Sequence, residues 1–79
     1  MVHLKFAELW LPENERRPMR VEINGLTMLS GFDPAAAGQR GMSADRRFEK
    51  ITPDARGFIA ITVIAEGKHD AILQGIEIE

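Results

Sequence analysis

Two histidines, one tryptophan and a scatter of carboxylates are the residues from which a reactive or binding site would have to be assembled. His69 stands beside Asp70, a pairing that can orient an imidazole for proton transfer. Ser30 and Ser43, however, read as loop residues outside any nucleophile motif, so a hydrolase built on His69 and Asp70 lacks its nucleophile. His3 falls on the polar face of a strand, next to Lys5, and reads as a solvated face residue. A metal site needs about three His or carboxylate ligands at usable spacing. The two histidines are far apart and cysteine is absent, so neither a metal nor a cofactor is expected. Trp10 leaves two readings open. One is packing at the edge of a core. The other is a platform on which the weakly polar C–H face of a sugar ring stacks.

The elements that must position these residues read as strands. Val2, Leu4 and Phe6 alternate with His3, Lys5 and Ala7, the period of a half-buried strand. Leu9 and Leu11 then take the opposite parity, which predicts a β-bulge or a strong bend near Ala7-Glu8. On that phase Trp10 points outward or lies at the rim. Pro12 to Pro18 is a polar loop with a proline at each end. Asn24-Gly25 separates the alternating Met19, Val21, Ile23 run from Leu26 to Leu29, which predicts a hairpin with a type I′ turn. Ala35 to Asp45 is a small-residue loop with room for one helical turn, and Arg46 to Ile51 returns to an extended pattern. Phe58 to Ala65 is apolar on both faces and rich in β-branched residues, which predicts a central strand buried on both sides. Glu66 to Asp70 is a turn. In the last strand Ile72, Gln74, Ile76 and Ile78 share one face. Five or six strands with short turns make the class all-β and antiparallel.

Composition narrows the function. The 79 residues allow one domain. Ten basic and twelve acidic residues give a net charge of −2, which provides no electrostatic drive toward nucleic acid. The one basic run, Arg16, Arg17 and Arg20, is offset by Glu13 and Glu15 and reads as a solvated loop. No apolar run approaches the ~20 residues of a membrane span, and the N-terminus lacks the apolar stretch of a signal peptide.

Four segments in order carry a resemblance that covers nearly the whole chain. They are His3-Leu4-Lys5-Phe6-Ala7-Glu8-Leu9-Trp10-Leu11, Met19-Arg20-Val21-Glu22-Ile23-Asn24-Gly25, Leu29-Ser30-Gly31-Phe32-Asp33 and Asp70-Ala71-Ile72-Leu73-Gln74-Gly75-Ile76-Glu77-Ile78. Together they resemble the C-terminal half of malectin-type carbohydrate-binding domains. The resemblance implies a jelly-roll-like antiparallel β-sandwich, partial or completed by a dimer. It also implies a non-catalytic accessory module, attached in bacteria to glycoside hydrolases and other carbohydrate-active proteins and therefore exported. A glucan- or galactan-like oligosaccharide would bind through loops at one end. The family's aromatic pair after F-A-E becomes Trp10 and Leu11, which keeps one ring and loses the other. Its acidic residue before the last strand maps to the Lys68-His69-Asp70 stretch, with Asp70 the nearest match and Lys68 the ungapped one. Asp33-Pro34 replaces the family's D-I, so that strand is expected to end early. The alternative function is a structural or assembly β-domain that keeps the fold without the sugar site.

The strands of the family's N-terminal half have no counterpart here, so residues 1–79 are expected to be an excerpt or half-domain. A half-sandwich leaves apolar surface and strand edges open. A homodimer, with shared or exchanged strands, is the expected remedy.

Overall fold

The computed structural model describes residues 1–12, 15–37 and 43–79. The chain is all-β, with two three-stranded antiparallel sheets and one helical turn. The strands are β1 (Val2–Ala7), β2 (Met19–Ile23), β3 (Leu26–Phe32), β4 (Ser43–Phe48), β5 (Ile61–Ala65) and β6 (Gly75–Ile78), with the turn α1 (Pro34–Ala37) after β3. One sheet has the order β4-β1-β6 and the other β3-β2-β5.

Alternation along the two central strands builds the core. Val2, Leu4 and Phe6 of β1 are fully buried, as are Met19 and Val21 of β2, with Ile23 nearly so. Ala44 from β4 and Phe32 from β3 join the same apolar cluster, and the rings of Phe6 and Phe32 meet at 4.8 Å. The cluster therefore joins one sheet to the other, with Ile61, Val63, Ile72 and Leu73 packed around it. Fully burying side chains of this size contributes about 1.5–3 kcal/mol each.

The β2–β3 hairpin turns as its sequence predicts. Asn24 and Gly25 both have positive φ, 52° and 81°, as a type I′ turn requires. Asn24 also donates its amide to the Ala60 carbonyl, accepts the Ala60 amide on its side-chain oxygen and donates its side-chain nitrogen to Thr52. The hairpin tip is thereby tied to the approach to β5. Along β3 the register slips twice, between Met19 and Val21 and between Val21 and Glu22, so β3 carries the bulges. Gly31 sits at one slip with φ +62°.

Four expectations change. No bulge follows Ala7: β1 stops there and Glu8 takes the next inward position, while Leu9 is exposed. The β-branched run is not a central strand. Only Ile61–Ala65 forms β5, it pairs with β2 alone, and Phe58 is 62% exposed. Apolar character on both faces does not require burial on both, because the outer Thr62 and Ile64 lie opposite the Arg20–Glu22 ion pair of β2 rather than under another layer. His3 is buried, since β1 is the central strand and charged side chains of β4 and β6 close over it. Its Nε2 lies 3.0 Å from Asp45 and its Nδ1 3.8 Å from Glu77. Ser30 and Ser43 belong to strands β3 and β4 rather than to loops. The expected helical turn is present as Pro34–Ala37, and residues 38–42 of that loop lie outside the described residues.

A Cβ at Gly31 meets no neighbouring atom, so substitution there tests the backbone alone. Gly31→Ala is expected to cost about 1–2 kcal/mol, the penalty of a left-handed conformation with a side chain. A lower urea midpoint at unchanged slope would register it. An unchanged midpoint would contradict the assigned bulge.

Candidate functional site

The inward phase of β1 does not end with Phe6. Glu8 occupies the next inward position and its side chain is almost fully buried, where an apolar residue would ordinarily sit. A carboxylate is tolerated there because its oxygens are fully engaged. Arg17 donates from Nε to one oxygen at 2.8 Å and from Nη2 to the other at 3.4 Å. The amides of Trp10 and Leu11 donate to the second oxygen at 3.2 and 3.3 Å. Burial pushes the Glu8 carboxyl up, but the hydrogen bond from Arg17, the two amides and the guanidinium charge together outweigh it. The net result lies below the ordinary carboxylate value.

Arg17 is the hub of a wider network. Its Nη1 donates to the main-chain carbonyl of Asp70 at 2.6 Å. Its amide donates to Asp33, whose other oxygen accepts the Ala35 amide and so caps the start of α1. Through its guanidinium and its amide together, Arg17 thus joins the end of β1, the 15–18 segment, the end of β3 and the 66–70 turn. The expectation that Arg16, Arg17 and Arg20 form a solvated run fails at Arg17, which is 6% exposed. Glu13, the other member of that expectation, lies outside the described residues.

The five residues singled out from the sequence all fall on segments that this network ties to one end of the chain. Trp10 is held by its amide on Glu8 and projects outward, 64% exposed. Leu11 is held the same way and is half-buried. Asp70 enters through its carbonyl. Lys68 and His69 both lie against Glu15, at 3.3 Å from its two oxygens. The acidic partner of His69 is therefore Glu15, not its neighbour Asp70. The two loops also touch directly: the Glu66 amide donates to Pro18, and a Cβ at Gly67 would meet the Pro18 ring at 3.0 Å. Among the described residues, no group of three His, Asp or Glu could hold a metal.

Glu8, Arg17 and Asp33 were not singled out as site residues from the sequence. The parity of positions 2, 4, 6 and 8 was the available signal for Glu8, but two leucines on the opposite parity outweighed it. Nothing local distinguishes Arg17 from Arg16.

A second charged cluster covers the outer face of β4-β1-β6. Lys5 and Glu77 are paired there beside His3 and Asp45. Their hydrogen bond, and then their mutual charge, raises the Lys5 ammonium above its ordinary value and lowers the Glu77 carboxyl.

No protein-family model, curated protein or solved structure matches the chain. Among the described residues, no helix is long and apolar enough to cross a membrane.

Two outcomes follow from the buried pair. Glu8→Met or Arg17→Met alone strands a buried charge and is expected to cost about 3–5 kcal/mol. The Glu8→Met, Arg17→Met double variant is expected to cost less than either single one, read by urea denaturation of all three. A strictly additive double variant would refute the coupling. The second outcome is acid sensitivity. A carboxyl with a lowered folded pKa binds protons more weakly when folded, so its contribution is complete above the unfolded value near 4.5 and is lost as pH falls through the folded value. Stability measured below pH 4.5 should therefore fall more steeply in the parent than in the double variant. Glu77 adds a slope of the same sign to both proteins.

Proposed function

We propose that this chain is a non-catalytic carbohydrate-binding module of the malectin-like type, which binds an oligosaccharide through the loops at the Trp10 end. The observation that carries this reading is an exposed indole whose backbone amide, with that of Leu11, is held by the buried carboxylate of the Glu8–Arg17 pair. An aromatic ring costs little entropy to present when its backbone is already fixed, and its flat face suits the C–H face of a sugar. On the 66–70 turn, which Arg17 ties to the same Glu8 carboxylate, Lys68, His69 and Asp70 offer the polar groups that sugar hydroxyls need. The fold is read as a jelly-roll-like sandwich. Support comes from the apolar cluster that joins β1 to β2 and from the Phe6–Phe32 contact.

The alternative is a structural or assembly β-domain, favoured by the strand edges that remain open in both sheets. The exposure of Trp10 favours the first reading, since a scaffold gains nothing from an indole left in water.

Fluorescence of the single tryptophan separates the two. Titration with glucan and galactan oligosaccharides is expected to blue-shift the emission and shield it from iodide. Trp10→Ala, followed by calorimetry, is expected to weaken binding about tenfold, or about 1.4 kcal/mol. An emission unmoved by millimolar sugar, with the indole still quenched by iodide, would decide for the scaffold.

A further inference from the structure

Among the described residues, two three-stranded sheets leave four open edges, on β3, β4, β5 and β6. Natural sheets guard such edges with charges, bulges or short strands, because unpaired N–H and C=O groups template pairing with another chain. Strand β4 carries Asp45, Arg46 and Arg47. Strand β6 is four residues long and carries Glu77. Strand β3 is bulged and has Gly31 in the left-handed region. Strand β5 has none of these devices: from Phe58 to Ala65 there is no charge, proline or glycine.

The free edge of β5 has a defined hydrogen-bonding face. Pairing with β2 follows one register, from Met19 opposite Ala65 to Ile23 opposite Ile61. The flanking bonds from Asn24 to Ala60 and from Glu66 to Pro18 show that even-numbered residues direct their main-chain groups toward β2. By antiparallel alternation, Ile61, Val63 and Ala65 direct theirs outward.

We propose that this edge pairs with the same edge of a second copy of the chain, about a two-fold axis at Val63. Val63 then exchanges both main-chain bonds with its own copy, Ile61 lies opposite Ala65 and Thr62 opposite Ile64. The two β3-β2-β5 sheets become one continuous sheet. Charge selects this occupant. An uncharged strand is matched without desolvating a charge only by another uncharged strand, and no register of β5 on itself opposes like charges. Packing agrees. The Arg46 guanidinium of β4 lies 5.0 Å over the Phe32 ring at the end of β3. Ile76 and Ile78 share the inward face with Leu4 and Val2, yet are 48% and 54% exposed. This pairing is independent of sugar binding.

Light scattering on the intact chain at micromolar concentration tests it. The expected mass is twice 8.8 kDa. Thr62→Lys with Ile64→Lys opposes lysines across the axis on the outer face and is expected to give a monomer with an unchanged circular dichroism spectrum. Thr62→Lys with Ile64→Glu opposes Lys to Glu on the same register, sets each against an unlike charge of β2, Glu22 and Arg20, and is expected to remain a dimer, loosened by salt. Should the double-lysine chain fail to fold, the Lys/Glu chain still reports on the register. A monomeric parent would overturn the proposal, as would a folded double-lysine chain that stays dimeric or a Lys/Glu chain that falls apart at low salt.

Discussion

The contact between Glu8 and Arg17 organises one whole end of this protein. Its position is set by strand geometry: after Val2, Leu4 and Phe6, the next inward side chain is a carboxylate. A buried charge in that slot is costly unless opposed, and the opposing guanidinium comes from nine residues further along. Once Arg17 is drawn inward, the loop between them is closed at both ends. Replacement by well-packed apolar residues could match the pair in stability. It could not reproduce its connectivity, because an apolar side chain cannot hold the amides of Trp10 and Leu11 or the carbonyl of Asp70.

That connectivity gives a small chain without cysteine defined anchor points at Trp10, Leu11 and Asp70. Each loop spends main-chain hydrogen bonds on a buried ion rather than on water, and the ion is itself anchored in the core. Asp33 repeats the device at the end of β3, taking the Arg17 amide on one oxygen and the Ala35 amide on the other. The early end of β3 has the same origin, since Pro34 opens a helical turn instead of continuing the strand.

Charge is distributed unevenly over the two sheets. The outer face of β4-β1-β6 is a lattice of His3, Lys5, Asp45 and Glu77, close enough to bury an imidazole. The outer face of β3-β2-β5 carries the Arg20–Glu22 pair but ends, at β5, in Thr62 and Ile64. One sheet is thus guarded at both of its edges by charge, and the other is not. The loop end with Trp10 and the bare edge of β5 are the two surfaces whose chemistry is unlike the rest.

Strand identity was legible in the sequence because alternation is a local property. Val2 to Phe6 and Met19 to Ile23 declare their inward faces by parity alone, and Asn24-Gly25 declares its turn by the φ values the two residues accept. All-β class follows from those elements together. Only the tertiary structure decided which strands lie at an edge, because that depends on whether another strand arrives, and residue type does not report it. Phe58 to Ala65 is apolar enough for a central strand, yet β5 has one neighbour. His3 looks solvated in sequence and is buried by side chains from β4 and β6, more than forty residues away. The same holds for Arg17 beside Arg16: two adjacent identical residues acquire opposite environments only when a buried carboxylate, a distant carbonyl and the end of β3 converge on one of them.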